Sequence, residues 1–518
     1  MSETTILWVD DEIDLLRPHI LFLEQKGYTL ETANNGTDAI SMVEENTYDL
    51  IFLDENMPGI TGIETLHEIK KIKSSIPVVM ITKSEEENIM EDAIGSNIAD
   101  YLIKPVNPNQ ILLTIKKNID KKRLVTEKTT HAYQSEFGRL GMEINDTYDL
   151  EDWKEVYKKL VFWELELGNS SDNTMADVLK MQKNEANISF AKFIKNSYID
   201  WFGDNKKGRP EMSHTIIKDN IVPLLKTEKV FFLLIDNLRF DQWRIIRPFI
   251  EDYYTMDKDD VFCSILPTAT QYARNSIFAG LMPSEIDKLY PDIWLNDDEE
   301  GNKNEHEEEL LNMQLKRLGI NKKVYYQKVF NNKQGQKIVD NLSQILENDL
   351  SAIVFNFIDM LSHARTEMQM VKELAIDDSA YRSITKSWFE HSSLKALLEK
   401  LSEENVKVVI TTDHGTIRVN NAIKVVGDRK TTTNLRYKQG RNLSYKEKEV
   451  FEIKNPEKVF LPKSNMSSRY IFAKNTDFFA YPNNYNHYVG YYKNTYQHGG
   501  VSLEEMLIPI VVMSPKNK

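Results

Sequence analysis

The sequence predicts an α/β protein with three parts, and three observations support this fold class. Over residues 1–120, short apolar runs alternate with helix-length segments, a pattern typical of parallel strands joined by helical crossovers. Residues 121–205 carry apolar side chains at spacings of three and four, which predicts a helical bundle. From residue 206 to residue 518, apolar strands alternate again with longer segments. We therefore expect a parallel sheet with helical crossovers, a central helical bundle and a large C-terminal α/β domain.

Polar residues follow the apolar strands of the N-terminal domain. Asp10 and Asp11 follow the first strand, Asp54 ends a later one, and Thr82 and Lys104 end two more. Because the carboxyl ends of parallel strands meet at one edge of a sheet, we expect these side chains to form one acidic pocket. Such a pocket is able to hold Mg²⁺ and a phosphoryl group.

This set of residues resembles the flavodoxin-like receiver domain of two-component systems, and every position of that motif is filled. The resemblance implies a five-stranded parallel sheet. The resemblance implies phosphorylation of Asp54 by a sensor histidine kinase, with Mg²⁺ held by Asp10, Asp11 and Asp54. It also implies that Lys104 pairs with the phosphate and that Thr82 and Tyr101 are the two switch residues. A degenerate receiver that no longer takes phosphate is the alternative, but no position of the motif is substituted.

Carboxylates also follow three apolar strands of the C-terminal domain. Asp236 comes directly after one such strand, Asp413 lies close after a second, and Asp359 lies shortly after a third. His414 is next to Asp413, His363 lies four residues after Asp359, and one more imidazole, His498, precedes two glycines. Three Asp and three His suffice for two metal ions, and this mixture of ligands suits Zn²⁺, with Mn²⁺ as the other candidate. An isolated Asp at a strand end usually caps a turn or a helix. Capping alone does not explain three such Asp residues, two of which have a His close by in sequence.

A hydroxyl group is the candidate nucleophile. Thr268 and Thr270 follow a proline and precede a segment with helical character. A hydroxyl at a helix N-terminus is often only a cap, but the free backbone N–H groups there also favour a phosphate.

The order Asp, Thr, Asp-x-x-x-His, Asp-His-Gly, His-Gly-Gly resembles the alkaline phosphatase superfamily. The resemblance implies two metal sites, one formed by Asp236, Asp413, His414 and the threonine oxygen, the other by Asp359, His363 and His498. Phosphodiesterases of the superfamily carry Pro-Thr-x-Thr with the second threonine as nucleophile, which assigns this role to Thr270 and leaves Thr268 as the alternative. Two ions about 4 Å apart would then hold the attacking and leaving oxygens.

Substrate-binding residues are expected close to these ligands. Residues 418–448 contain nine Lys or Arg against two acidic residues. This segment is either a solvated surface loop or a site for the further phosphates of an oligonucleotide. The candidates for phosphate contacts and for stacking a base are Arg239, Tyr272, Arg274, Asn275, Arg429 and Lys430.

The order of receiver, helical bundle and phosphatase-like domain resembles response regulators of the Bacteroidetes whose output domain is of the PglZ type. This implies a cytoplasmic regulator of type IX secretion and gliding motility, with a zinc-dependent output domain that hydrolyses short linear or cyclic oligonucleotides. It also implies a homodimer on phosphorylation, and partners that include secretion components and possible sigma factors. Monoester hydrolysis stays open, as does a scaffold that binds partners when phosphorylated and holds zinc only for stability.

Composition limits the remaining classes of function. The chain of 518 residues has a formal net charge of −14, which argues against binding of duplex DNA. Its single cysteine excludes an internal disulfide and suits a reducing compartment. No apolar run is long enough to span a membrane, so we expect a cytoplasmic protein without membrane insertion.

Overall fold

The computed structural model describes residues 4–73, 76–83, 98–168, 173–203, 208–427, 431–463, 465 and 467–516. The chain divides into two compact units. The first contains residues 1–134 and 170–172, and the second contains residues 135–169 and 173–518. No helix within the described residues is long and apolar enough to cross a membrane.

The first unit contains the predicted five-stranded parallel sheet. Its elements are β1 (Thr4–Val9), α1 (Arg17–Gln25), β2 (Tyr28–Ala33), α2 (Gly36–Glu45), β3 (Leu50–Asp54), α3 (Gly62–Ile72), β4 (Val78–Thr82), β5 (Asp100–Ile103) and α4 (Pro108–Ile115). The strand order is β2-β1-β3-β4-β5, and every neighbouring pair is parallel. Helix α3 begins with a capping box between Thr61 and Glu64, which pairs two backbone N–H groups that the helix leaves free.

Three long helices follow. They are α5 (Lys121–Asn145), α6 (Leu150–Gly168) and α7 (Asn173–Ser197). Trp153 of α6 packs against Phe190 and Phe193 of α7, as the apolar spacing predicts. The structure joins residues 135–168 and 173–203 to the C-terminal domain in one compact unit, although the sequence analysis set residues 121–205 apart as a bundle.

The C-terminal domain is built on a mixed six-stranded sheet. Its first elements are β6 (Val230–Ile235), α8 (Phe240–Ile246), β7 (Tyr254–Cys263), α9 (Thr270–Ala279), α10 (Pro283–Leu289), α11 (Glu307–Arg317), β8 (Val324–Val329), α12 (Asn332–Asp340), α13 (Leu342–Ile345), β9 (Leu350–Phe355), α14 (Phe357–Glu367), α15 (Gln369–Leu374), α16 (Asp378–Glu390), α17 (Ser393–Leu401) and β10 (Lys407–Thr411). The remaining elements are β11 (Ile417–Arg418), β12 (Asn421–Lys424), β13 (Tyr437–Gly440), β14 (Val450–Ile453), β15 (Arg469–Ala473), β16 (Asp477–Ala480), α18 (Tyr485–Tyr492), β17 (Tyr496–Gln497), α19 (Leu503–Met506) and β18 (Leu507–Pro515). The strand order is β7-β18-β10-β6-β9-β8. The strands from β10 to β8 are parallel, whereas β18 runs antiparallel to both of its neighbours.

The basic segment predicted between residues 418 and 448 belongs largely to small sheets beside this core. Strand β12 pairs with β16, and β13 pairs with β15. Arg436 is fully buried and pairs with Glu505, and burial lowers the pKa of Lys438 to about 8. These two cations of the nine are therefore part of the fold and are not free to bind phosphates, whereas a role of the other basic residues in phosphate binding stays a prediction. Arg429 and Lys430 lie outside the described residues.

A buried ionic network joins α6 to the C-terminal domain. Arg239, which is 1% exposed, pairs with Asp241 and Asp378. Arg382 pairs with Asp241 and with Glu164 of α6. Burial opposes ionisation of Asp241, yet the two arginines lower its pKa to about 2. A lowered pKa stabilises the folded state above the ordinary pKa, and this contribution is lost as the pH falls towards 2.

We expect Asp241→Ala to lower the free energy of unfolding by about 3 kcal/mol, because it leaves two buried guanidinium groups without a shared partner. The single cysteine, Cys263, reports unfolding, since it is buried and burial raises its pKa to about 12. Thiol labelling along a denaturant series is the measurement. Asp252→Ala, at an exposed position, is the control, and equal labelling curves for both variants would contradict the expectation.

Candidate active site

Three neighbouring strands carry the candidate ligands at their carboxyl ends. The sheet order places β6 between β10 and β9, and the three strands are parallel. Asp236 directly follows β6, Asp413 lies two residues after the end of β10, and Asp359 lies in the first turn of α14, just after β9. The parallel pairing therefore brings to one edge of the sheet three carboxylates that are far apart in the chain.

Two groups of potential metal ligands lie at this edge. In each group the ligand atoms lie within 4.8 Å of one another, and the groups are Asp236, Asp413 and His414, and Asp359, His363 and His498. The rings of His414 and His498 stack with their centroids 4.1 Å apart, so the two groups adjoin. These are the two sets that the superfamily resemblance implies, and their role as metal ligands stays a prediction.

Hydrogen bonds fix the orientation of two imidazoles. His414 Nδ1 lies 3.1 Å from the Gly415 carbonyl oxygen, and His498 Nδ1 lies 3.2 Å from the Thr268 carbonyl oxygen. A carbonyl only accepts, so both Nδ1 atoms carry a proton, which leaves Nε2 as the ring atom of each residue that could bind a metal. Burial, together with His414, lowers the pKa of His498 to about 3. His498 thus presents the neutral ring that binds metals.

The hydroxyl of Thr270 faces these ligands. Thr270 is the first residue of α9, and its Oγ1 lies 3.0 Å from His414 Nε2. The free N–H groups of the first helical turn and the helix dipole both favour a phosphate at this position. This geometry supports Thr270 as the nucleophile.

Thr268 has a different environment. It is fully buried, its hydroxyl donates to the Gly500 carbonyl at 2.9 Å, and it accepts the Gly499 N–H at 3.1 Å. Both bonds tie the loop before α9 to the backbone that follows His498. The Thr268 hydroxyl is therefore already used in holding His498 in place, which favours Thr270 over Thr268.

A buried arginine lies between two of the carboxylates. Arg274 pairs with Asp413 at 2.9 Å and with Asp236, and it is 1% exposed. Burial and the neighbouring carboxylates raise the pKa of Asp236 well above its usual range against the effect of Arg274. Burial also opposes ionisation of Asp413, but Arg274 and His414 bring its pKa below the ordinary value. Arg274 thus compensates negative charge in the site, and the structure does not present it as an open phosphate clamp.

One orphaned atom indicates that a cation fits here. Asp236 Oδ1 is buried and has no hydrogen-bond partner within the described part of the chain, a costly arrangement for a carboxylate oxygen. Carboxylate oxygens and neutral imidazole nitrogens in sets of three are the donors that Zn²⁺ prefers in catalytic sites. The residues present therefore fit the predicted metal ions.

Three other predicted substrate contacts need correction. Arg239 is committed to the buried network of Asp241 and Asp378. Tyr272 is 1% exposed and packs against Trp294 and Tyr437, so it offers no face to a base. Asn275 is also buried and accepts from Asn304 at 3.0 Å. Every residue of α9 from Gln271 to Ala279 is buried, so the polar side chains of this helix, Tyr272 and Asn275 among them, are buried as well. The sequence pattern did not distinguish them from exposed polar residues.

The sequence analysis did not predict two residues that lie near the candidate ligands, Asn237 and Glu307. The Asn237 side chain donates to Asp359 at 3.2 Å and its backbone N–H donates to Asp413 at 3.4 Å, so it connects the two groups. Glu307 is fully buried near Arg274 and pairs with Lys328 at 3.1 Å. The Asp236-Asn237 pair after an apolar strand could have indicated the first, since Asn tolerates the positive φ of 63° found here. No sequence signal pointed to Glu307.

The acidic pocket of the first unit also forms as a cluster. Ligand atoms of Asp10, Asp11 and Asp54 lie within 4.8 Å of one another, and Lys104 Nζ lies 2.9 Å from both Asp10 and Asp54. Burial raises the pKa of Asp54, with further contributions from Asp10 and Asp11. A bound cation would offset this repulsion between carboxylates. Of the two predicted switch residues, Thr82 bonds to Glu55 and Tyr101 is 38% exposed.

Family comparisons identify three parts of this architecture. The N-terminal sheet and its pocket are those of a response regulator receiver domain, whose family model matches residues 6–116. Residues 123–202 match the PorX response regulator linker domain. Residues 216–513, more than half of the chain, match the BREX system PglZ alkaline phosphatase-like domain. The chain therefore belongs to the PglZ family, and it is a two-component response regulator with a hydrolase-like output domain.

Individual curated relatives are similar to about a quarter of the chain. The transcriptional regulatory protein ResD of Bacillus subtilis is 38% identical over 115 residues, which are 22% of this chain and 48% of that protein. A CpxR homolog of Haemophilus influenzae is 40% identical over 21% of this chain and 48% of its own length. The chain thus spans about half the length of these two relatives. Among solved structures, a response regulator of Clostridium difficile is 31% identical over 23% of this chain and 97% of its own, with a TM-score of 0.22.

Proposed function

We propose that this protein is a phosphorylation-controlled phosphodiesterase that acts on short linear or cyclic oligonucleotides. The observation that carries the proposal is the convergence of the Thr270 hydroxyl with two adjoining groups of metal ligands at one sheet edge. The finer parts of the proposal are zinc dependence, a role in type IX secretion and gliding, and dimerisation on phosphorylation of Asp54.

The reaction follows from the positions of the residues. Asp236, Asp413 and His414 would hold one zinc ion, and Asp359, His363 and His498 the other. Bound metal would neutralise phosphate charge and lower the pKa of a nearby hydroxyl. Thr270 Oγ1 gives up its proton and attacks phosphorus, the bond to the leaving nucleoside oxygen breaks as that oxygen takes up a proton, and a nucleotidyl-threonine ester forms. Water then attacks the same phosphorus and releases the nucleotide, which frees Thr270 for the next cycle.

A cavity beside the nucleophile supports a diester substrate. It measures about 550 Å³, and its lining includes Gln271, Lys303 and Tyr437 together with the acidic Asp297 and Asp298. Thr270 is not itself a lining residue, but Gln271 directly follows it. A monoester needs space for only one group beyond the phosphate, whereas a diester has a second nucleoside to accommodate. Amide, hydroxyl and aromatic groups in such a cavity suit a nucleoside.

Hydrolysis assays test the proposal. Zinc-loaded protein is incubated with short linear oligoadenylates, cyclic oligoadenylates and nucleoside monophosphates, each with and without beryllofluoride to mimic phosphorylated Asp54. We expect faster hydrolysis of the oligonucleotides and a change in rate with beryllofluoride. Faster hydrolysis of monophosphates would exclude the diester preference. Absence of hydrolysis, together with bound zinc and dimers induced by beryllofluoride, would favour the phosphorylation-controlled scaffold.

Asp54→Asn is expected to abolish phosphorylation of the receiver, because an amide is a much poorer nucleophile than a carboxylate and forms no acyl phosphate. The measurement is incubation with acetyl phosphate and Mg²⁺, followed by separation of phosphorylated protein on phosphate-affinity gels. Asp14→Asn, at an exposed position, is the matched control and should be phosphorylated like the wild type. Equal phosphorylation of Asp54→Asn would place the phosphate on another residue.

A further inference from the structure

A second cavity, of about 550 Å³, lies between helix α7 and the strands β11 and β12. Helix α7 contributes Lys180, Lys183 and Asn187 to its wall, which share one helix face because they are spaced by three and four residues. The candidate metal ligands are not among its lining residues. The cavity is therefore a separate site within the same unit.

Five basic side chains line the cavity, against two acidic ones, Asp378 and Glu504. Two of them are neutralised, since Lys183 pairs with Glu164 and Glu504 and Arg239 pairs with acidic neighbours. The other three have no ion pair within the described part of the chain, and they are Lys180, Arg418 and Lys493. In a protein with a net charge of −14, three uncompensated cations around one cavity favour an anionic ligand.

Donors for hydrogen bonds accompany these charges. The Nε atom of Arg418 is buried and has no hydrogen-bond partner among the described residues, and an unpaired buried N–H group is costly. Asn184, Asn420 and Asn421 also line the cavity, and their amides are able to donate to anion oxygens. An arginine fork with several further donors suits the oxygens of a phosphate group.

We propose that this cavity binds the phosphate group of a small molecule up to the size of a nucleotide. A volume of about 550 Å³ exceeds what orthophosphate alone needs and falls within the range of small-molecule sites. Its walls also adjoin the candidate active site, because Arg418 pairs with Tyr496 in register, four residues after His414 and two before His498. Arg418 therefore lies on a strand pair that is flanked in sequence by two candidate metal ligands.

Equilibrium dialysis of the full-length protein tests the proposal. Labelled orthophosphate and labelled adenosine monophosphate are the probes, and EDTA removes binding through the candidate catalytic metal ions. We expect at least one probe to bind, and we expect Arg418→Gln/Lys493→Gln to weaken binding at least tenfold. Lys226→Gln, at an exposed position, is the matched control and should bind like the wild type.

The outcomes separate the sources of the phosphate. Binding of both probes identifies the phosphate as sufficient, and binding of adenosine monophosphate alone shows that the nucleoside is required. Lys493 is exposed, so Lys493→Gln alone should fold normally and still weaken binding at least threefold. Binding of neither probe, or undiminished binding by folded Lys493→Gln and by the double variant, would overturn the proposal.

Discussion

Thr270→Ala is expected to lower the turnover number for a phosphodiester on the order of a thousandfold or more, because the variant lacks the oxygen that attacks phosphorus. The Thr270 hydroxyl lies 3.0 Å from His414 Nε2 at the first turn of a helix, and no other hydroxyl of the loop is positioned in this way. Steady-state hydrolysis of a short oligonucleotide is the measurement. Thr270→Ser, which keeps an attacking oxygen, should restore much of the rate.

Two further variants make this test specific. Thr227→Ala, at an exposed position of the same unit, should leave the rate unchanged. Thr268→Ala should lower the rate far less than Thr270→Ala, because the Thr268 hydroxyl bonds to the backbone of Gly499 and Gly500. A full loss with Thr268→Ala and substantial activity with Thr270→Ala would reverse the assignment of the nucleophile.

Asp413→Asn is expected to reduce bound zinc from two ions to one per chain and to lower the rate on the order of a thousandfold, which corresponds to about 4 kcal/mol of lost transition-state stabilisation. The amide weakens the group of Asp236, Asp413 and His414 while the group of Asp359, His363 and His498 stays complete. Metal content by elemental analysis, together with the hydrolysis rate, checks both expectations.

The exposed position of Asp252 supplies the control, and Asp252→Asn should bind two zinc ions. His363→Ala should remove the other ion, since His363 belongs to the second group. Unchanged metal content in both Asp413→Asn and His363→Ala would refute the assignment of the ligands.

The sheets were predictable because their strands are buried on both faces and appear as continuous apolar runs, as in Leu50–Asp54 and Val230–Ile235. The candidate ligands were predictable for a related reason, since each carboxylate follows such a strand closely and parallel strands end at one edge. The receiver region and the PglZ region were also recognisable from motifs whose spacing is fixed by this geometry.

The surroundings of the site were harder to predict. Arg239 and Arg274 look like phosphate-binding residues in the sequence, but both are buried and pair with acids that are distant in the chain. Arg239 pairs with Asp378, and Arg274 pairs with Asp236 and Asp413. Arg436 pairs with Glu505, 69 residues away. Whether a basic residue faces solvent or a buried carboxylate depends on tertiary packing, which local spacing does not encode.

The stereochemical course of hydrolysis tests the central claim most directly. Metal-loaded wild-type protein is incubated with a dinucleotide that carries a phosphorothioate of one configuration, in water enriched in ¹⁸O, and the configuration of the product is determined. Attack by Thr270 followed by attack of water inverts phosphorus twice, so we predict net retention of configuration. Net inversion would show direct attack by water and would contradict the threonine mechanism, and absence of any product would contradict the phosphodiesterase activity itself.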